Sequence, residues 1–180
     1  DLQRSEKERA ELVMITDLLR NDIGQVCEFG SVQVTDMLQL EKLQHVHHLV
    51  STIRGTLAPE YTQLSALASC FPGGSITGAP KKRATEIIRE LEPVSRGLYT
   101  GAIGFLGFNG ESQFNIAIRT LIHENGHLDY HVGAGIVADS DPAAEYEETL
   151  NKAAGWLAAL NLPVSALPLS PATESPNLRA

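Results

Sequence analysis

The spacing of apolar and polar positions changes several times along the chain, and each change marks an expected element. Residues 5–20 are good helix formers throughout, with Leu12, Val13, Met14, Ile15, Leu18 and Leu19 on several sides, which predicts a buried helix. Asn21-Asp22-Ile23-Gly24 is expected to stop it, with Gly24 in a left-handed conformation. Residues 31–34 alternate and 46–57 are rich in β-branched side chains, so both regions read as strands. Helices are expected over 62–70 and 80–91. The second carries Ile87, Ile88 and Leu91 as a stripe, with Glu86, Arg89 and Glu90 left wet. Three strands follow, 99–108, 112–124 and 127–137, joined through Asn109-Gly110 and Asn125-Gly126, the strongest short hairpin signals.

Asp141-Pro142 opens a last helix, to about Leu160. Its apolar stripe is Tyr146, Leu150, Ala153, Leu157 and Leu160, with Glu145, Glu148 and Lys152 roughly opposite. These hairpins and helices predict an α+β fold, a mainly antiparallel sheet with helices packed against it. After Pro163 the chain turns to Pro, Ser, Ala and Thr without periodicity. Residues 1–162 are therefore expected to fold as one domain and 163–180 to form a disordered tail.

Composition narrows the classes of function. With 180 residues, 43% of them hydrophobic and 20% charged, the chain can bury a core like any soluble domain. A formal charge of -8 argues against nucleic acid as main partner, because phosphate contacts need clustered Lys and Arg. No apolar run is long enough to span a membrane and no signal-peptide pattern occurs, so a cytoplasmic location is expected. Cys27 and Cys70 lie far apart and suit a reducing compartment.

The stretch with most chemistry is Phe71-Pro-Gly-Gly-Ser-Ile-Thr-Gly-Ala-Pro-Lys-Lys-Arg83. Glycines before a helix start leave backbone amides for an oxyanion, with Ser75 and Thr77 as extra donors, whereas the bland reading is a tight turn. It is not a phosphate-binding P-loop. Ala79-Pro80 intrudes before Lys81, and Lys82-Arg83 stand where a magnesium-binding Ser or Thr belongs. Glu8 and Glu11 share one face of the first helix, as Glu145 and Glu148 do of the last. Two Glu-x-x-Glu helices supply hard oxygen ligands of the kind magnesium takes. His45, His47 and His48 have no cysteine partners, which makes zinc a poor fit. Arg119 follows a nearly charge-free stretch and wants an anionic partner. Gly133-Ala134-Gly135 within a strand marks either a bulge or close approach of backbone to a ligand. Glu148 and Lys152, at i,i+4, form an ordinary surface pair unless something else lifts them.

What lifts them is a resemblance. The motif at 71–83, together with Asp17-Leu-Leu-Arg-Asn-Asp22, His47-His48-Leu-Val-Ser51, Gly133-Ala-Gly-Ile-Val137 and Glu145-Tyr-Glu-Glu-Thr-Leu-Asn-Lys152, resembles the chorismate-utilising enzymes in the same order. The resemblance covers roughly residues 6–160 and implies that family's anthranilate synthase-like α/β sandwich. Gly73-Gly74-Ser75-Ile76-Thr77 is most similar to the aminodeoxychorismate branch. It implies amination of chorismate to 4-amino-4-deoxychorismate, a step toward 4-aminobenzoate and folate, with ammonia from a glutamine amidotransferase partner. Anthranilate formation and a non-catalytic remnant of the fold are the alternatives.

By match to the family, Glu11 and Glu148 hold Mg2+ directly and Glu8 and Glu145 flank it. Lys152, Ser75 and the Gly133, Ala134 and Gly135 backbone help hold the ring carboxylate, and Thr77 lies in the same substrate-binding turn. Arg119 and Tyr99 hold the enolpyruvyl carboxylate, and His48 is the active-site histidine near the ring hydroxyl. Gln25 departs from the arginine of many relatives. The family's general acid and nucleophilic lysine have no match in residues 1–180, so these residues are expected to be a C-terminal half that is inactive alone.

Overall fold

A computed structural model of the chain describes residues 6–42 and 47–163, with side chains from Arg9 onward. His45 and the expected tail beyond Pro163 lie outside the described residues. Two compact units divide the chain, Asp1–Ile118 and Arg119–Ala180.

The first unit is assembled around α1 (Glu6–Gly24), which packs on the antiparallel ribbon β1 (Gln33–Lys42) and β2 (His47–Arg54). Its other neighbours are α2 (Gln63–Cys70) and α3 (Gly74–Thr77), and α3 leads on to α4 (Lys81–Leu91). α1 is longer and less buried than its composition predicts. It runs through Asn21 and Asp22 to Gly24, which stays outside the left-handed region, and Asp22 makes an ion pair with Lys81. Val13 and Met14 remain about half exposed, so the apolar residues beyond one side are only partly covered in this unit. Thr62 caps α2, its hydroxyl accepting from the Ser65 amide while the Ser65 hydroxyl accepts from the Thr62 amide, a capping box. Pro80 is the residue before α4 rather than part of its first turn, and its carbonyl accepts from the Ala84 amide.

β3 (Ala102–Leu106) and β4 (Ser112–Ile116) form a second ribbon, closed by Gly107–Gly110. Gly107 donates to the Glu111 carbonyl and Gly110 donates to Gly107, with Gly110 at φ +86°. That is a turn followed by a left-handed residue, which glycine adopts without steric cost. Gly104 is packed against the opposite strand so closely that a Cβ there would overlap the Gln113 carbonyl and the Phe114 ring. Gly104→Ala should therefore destabilise the protein by about 1–3 kcal/mol, as overpacked sites do, and urea titration measures it.

The second unit holds a third ribbon, β5 (Leu121–Glu124) with β6 (His127–Tyr130), and α5 (Pro142–Ala159). Asn125 and Gly126 both have positive φ, the turn that the Asn-Gly pair predicts. Asp141 caps α5 by accepting from the Ala144 amide, and Pro142 sits in the first turn.

Among the described residues all strand pairs are antiparallel, as expected, and they are paired two by two rather than in one continuous sheet. The long middle strand expected over 112–124 breaks after Ile116. The Ile118 amide folds back onto the Ile116 carbonyl and Arg119 takes φ +50°, which reverses the pleat. Residues 131–137, expected to complete the third strand, follow β6 as irregular chain. No helix among the described residues is long and apolar enough to cross a membrane.

Candidate functional site

In the second unit the candidates converge on α5. One turn of helix separates Glu148 from Lys152, and the Lys152 ammonium sits 2.6 Å from Glu148 Oε1. The same ammonium donates to the Gly133 carbonyl at 3.2 Å, which ties the irregular Gly133-Ala134-Gly135 segment to the helix. Tyr130 OH donates to the Lys152 carbonyl at 3.3 Å, so the end of β6 is joined to α5 at this lysine. Gly133, Glu148 and Lys152 are thus brought together.

Glu145 departs from expectation. It is not on a wet face but 8% exposed, while Tyr146, expected in the apolar stripe, is 50% exposed. The Ser140 hydroxyl donates to Glu145 Oε1 at 2.8 Å and itself accepts from the Val137 amide. The loop before α5 therefore folds over the helix and draws the carboxylate beneath it. Ala153 and Leu157 form the buried apolar part of the helix.

Magnesium prefers hard oxygen ligands and usually takes only one or two carboxylates. One buried carboxylate and one beside an ammonium, three residues apart on a helix, fit that preference in donor chemistry. No three His, Cys, Asp or Glu side chains cluster for a metal among the described residues.

Arg119 presents its side chain to solvent, and among the described residues no ion pair engages its guanidinium. Its carbonyl accepts from Trp156 Nε1 of α5 at 3.0 Å.

The candidates of the first unit stand on separate elements. Glu11 is exposed on α1, and Glu8 lies on the same helix with its side chain outside the described residues. His48 is exposed on β2 opposite Glu41, and His47 opposite Lys42. Tyr99 lies under the Arg96 guanidinium, 5.5 Å from ring centroid to the charge, and burial pushes its phenol above the ordinary value. Arg96 is held in turn by Glu92 at 2.5 Å.

The glycine-rich motif is a short helix rather than an open loop. Gly73 accepts from the Ile76 and Thr77 amides and Gly74 from the Gly78 amide. Thr77 Oγ1 also donates to the Gly73 carbonyl at 3.1 Å. Thr77's proton is committed to its own turn, which leaves half-buried Ser75 as the hydroxyl donor of the motif.

Sequence reasoning missed the pair beneath this turn. Lys81 Nζ lies 2.7 Å from Asp22 Oδ2, and the two side chains are 23% and 7% exposed. The contact is ionic, since its angle falls outside hydrogen-bonding geometry. Lys81 instead donates to the Ser69 and Cys70 carbonyls at the end of α2. Its Cε lies against Gly74, where an added Cβ would sit 3.4 Å away. One lysine therefore joins α1, α2 and the motif. Burial pushes the neighbouring Cys70 thiol up, against a lowering hydrogen bond from Ser69. An acid just past Leu18 and Leu19 on a helix was the available signal, and its partner lay far along the chain.

A family model described as chorismate binding enzyme matches residues 1–158. The chain is 54% identical over 160 residues to anthranilate synthase component 1 of Streptomyces coelicolor, covering 89% of this chain and 31% of that protein. It is 50% identical over 162 residues to aminodeoxychorismate synthase component 1 of Bacillus subtilis, covering 90% and 34% respectively. Among solved structures, anthranilate synthase component I from Streptococcus pneumoniae superposes with a TM-score of 0.80 at 49% identity, over 85% of this chain and 35% of that one. The chain thus spans about a third of the length of the curated relatives it matches.

Proposed function

This chain belongs to the chorismate-binding enzyme family, and from that premise we propose that it serves a magnesium-dependent enzyme that aminates chorismate. The ring hydroxyl leaves and ammonia, delivered by a glutamine amidotransferase partner, takes its place on the ring. A cytoplasmic setting goes with that chemistry. The observation that carries the reading is the α5 cluster, where Lys152 bridges Glu148 and the Gly133 carbonyl beside buried Glu145.

Glu148 would hold the magnesium directly with Glu145 flanking it, and the corresponding roles of Glu11 and Glu8 rest on the resemblance alone. Bound magnesium supplies electrophilic polarisation and a template for the substrate. Lys152 adds a fixed cation for the ring carboxylate, with its orientation set by the Gly133 carbonyl. Arg119 presents a guanidinium fork that suits bidentate recognition of a second carboxylate, with Tyr99 in support. Ser75 donates to a substrate oxygen from a turn pinned by Lys81. His48 works at the ring hydroxyl, as its match in the family implies.

For the product we propose 4-amino-4-deoxychorismate, supported by the Gly73-Gly74-Ser75-Ile76-Thr77 wording. Anthranilate is the second reading, favoured by the 54% identity to an anthranilate synthase component against 50% to the aminodeoxychorismate one. Chorismate, ammonia and magnesium given to the full-length protein decide between them. 4-Aminobenzoate after adding the lyase supports the first, and fluorescent anthranilate as main product the second. Absence of any aminated product overturns the amination reading.

A further inference from the structure

Arg119 is one of the few non-glycine residues with positive φ, at +50°. For an L-residue that conformation costs roughly 1–2 kcal/mol and persists only where its surroundings impose it. Its side chain is exposed and, among the described residues, engaged in no ion pair, so nothing at the guanidinium holds the backbone over. The backbone itself has a partner. Trp156 Nε1 donates to the Arg119 carbonyl at 3.0 Å from the third turn of α5 beyond Glu148. The indole is braced by Tyr130 of β6, edge to face, with ring centroids 6.3 Å apart and planes at 60°. Tyr130 in turn bonds the Lys152 carbonyl. A continuous chain of contacts therefore runs from Lys152 through Tyr130 and Trp156 to the backbone of Arg119.

We propose that Trp156 is a positioning residue: its indole N–H holds Arg119 in the left-handed conformation and so sets the direction of the guanidinium relative to α5. The proposal rests on the reading of Arg119 as a carboxylate-binding cation. A planar fork gains its second hydrogen bond only when its orientation is right, so releasing the carbonyl weakens binding while leaving charge and reacting groups in place.

The test uses the full-length protein and Trp156→Phe, which keeps a ring against Tyr130 and removes the N–H. The expected result is a KM for chorismate about 5–10-fold higher with kcat within about twofold, the pattern of lost uniform binding. An unchanged KM overturns the proposal. A second measurement needs no substrate. Glycine takes positive φ freely, so Arg119→Gly should raise Tm by about 2–4 °C in the starting protein and by far less in Trp156→Phe, where the conformation is no longer imposed. A lowered Tm in the starting protein, or the same shift in both backgrounds, overturns the proposal. If the starting protein does not turn over chorismate, the amination reading falls and the thermal cycle alone decides what Trp156 does to Arg119.

Discussion

Replacing Lys81 by methionine should cost about 3–5 kcal/mol, the range for removing one partner of a buried ion pair. Methionine keeps most of the volume against Gly74 but leaves the buried Asp22 carboxylate with no Lys81 cation beside it. Asp22→Asn should cost clearly less. Its orphaned lysine is 23% exposed, reaches water, and keeps the Ser69 and Cys70 carbonyls. The double replacement Asp22→Leu with Lys81→Met should recover much of the loss, because apolar groups of similar volume often replace such pairs without penalty. Urea denaturation at neutral pH measures all three. Equal losses for the two single variants would show that the asymmetry of burial is not what governs this pair.

Glu148→Gln should lower magnesium-dependent turnover of the full-length protein about 100–1000-fold, the equivalent of several kcal/mol of lost charge stabilisation. The amide keeps the shape of the side chain but neither the charge that binds a hard cation nor the pairing of Lys152. Glu147, exposed on another side of α5, provides the control, and Glu147→Gln should leave turnover unchanged. Excess magnesium should recover part of the Glu148→Gln activity. A Glu148→Gln protein with full turnover and the same magnesium requirement would remove α5 from the metal site.

Much of the local structure was legible because its causes are local. Asp141-Pro142 announced the start of α5, since capping needs only residues three apart, and the helix expected over 62–70 formed as α2. Asn125-Gly126 announced a turn with two positive φ values, and the turn formed. Glu148 and Lys152 were one helical turn apart and met. The α5 stripe was legible in outline, yet it placed Glu145 on the wrong side. Nothing in a 3.6-residue period reveals that Ser140, in the preceding loop, will fold back over the first turn.

By itself, then, the sequence determined the longer helices apart from the end of α1, the hairpin turns, the antiparallel pairing and the motifs that match the family. Each of these depends on backbone conformation or on neighbours within one turn. The tertiary structure alone decided that Asp22 is buried against Lys81, that Glu145 is covered, that Thr77 spends its hydroxyl on Gly73, and that Arg119 is turned over with its carbonyl on Trp156. Except for Thr77, whose hydroxyl finds its partner within its own helical turn, these depend on packing against a loop or on partners distant in sequence. Desolvation of a charge or strain in a backbone arises only once those groups are packed together, so no local pattern carries it.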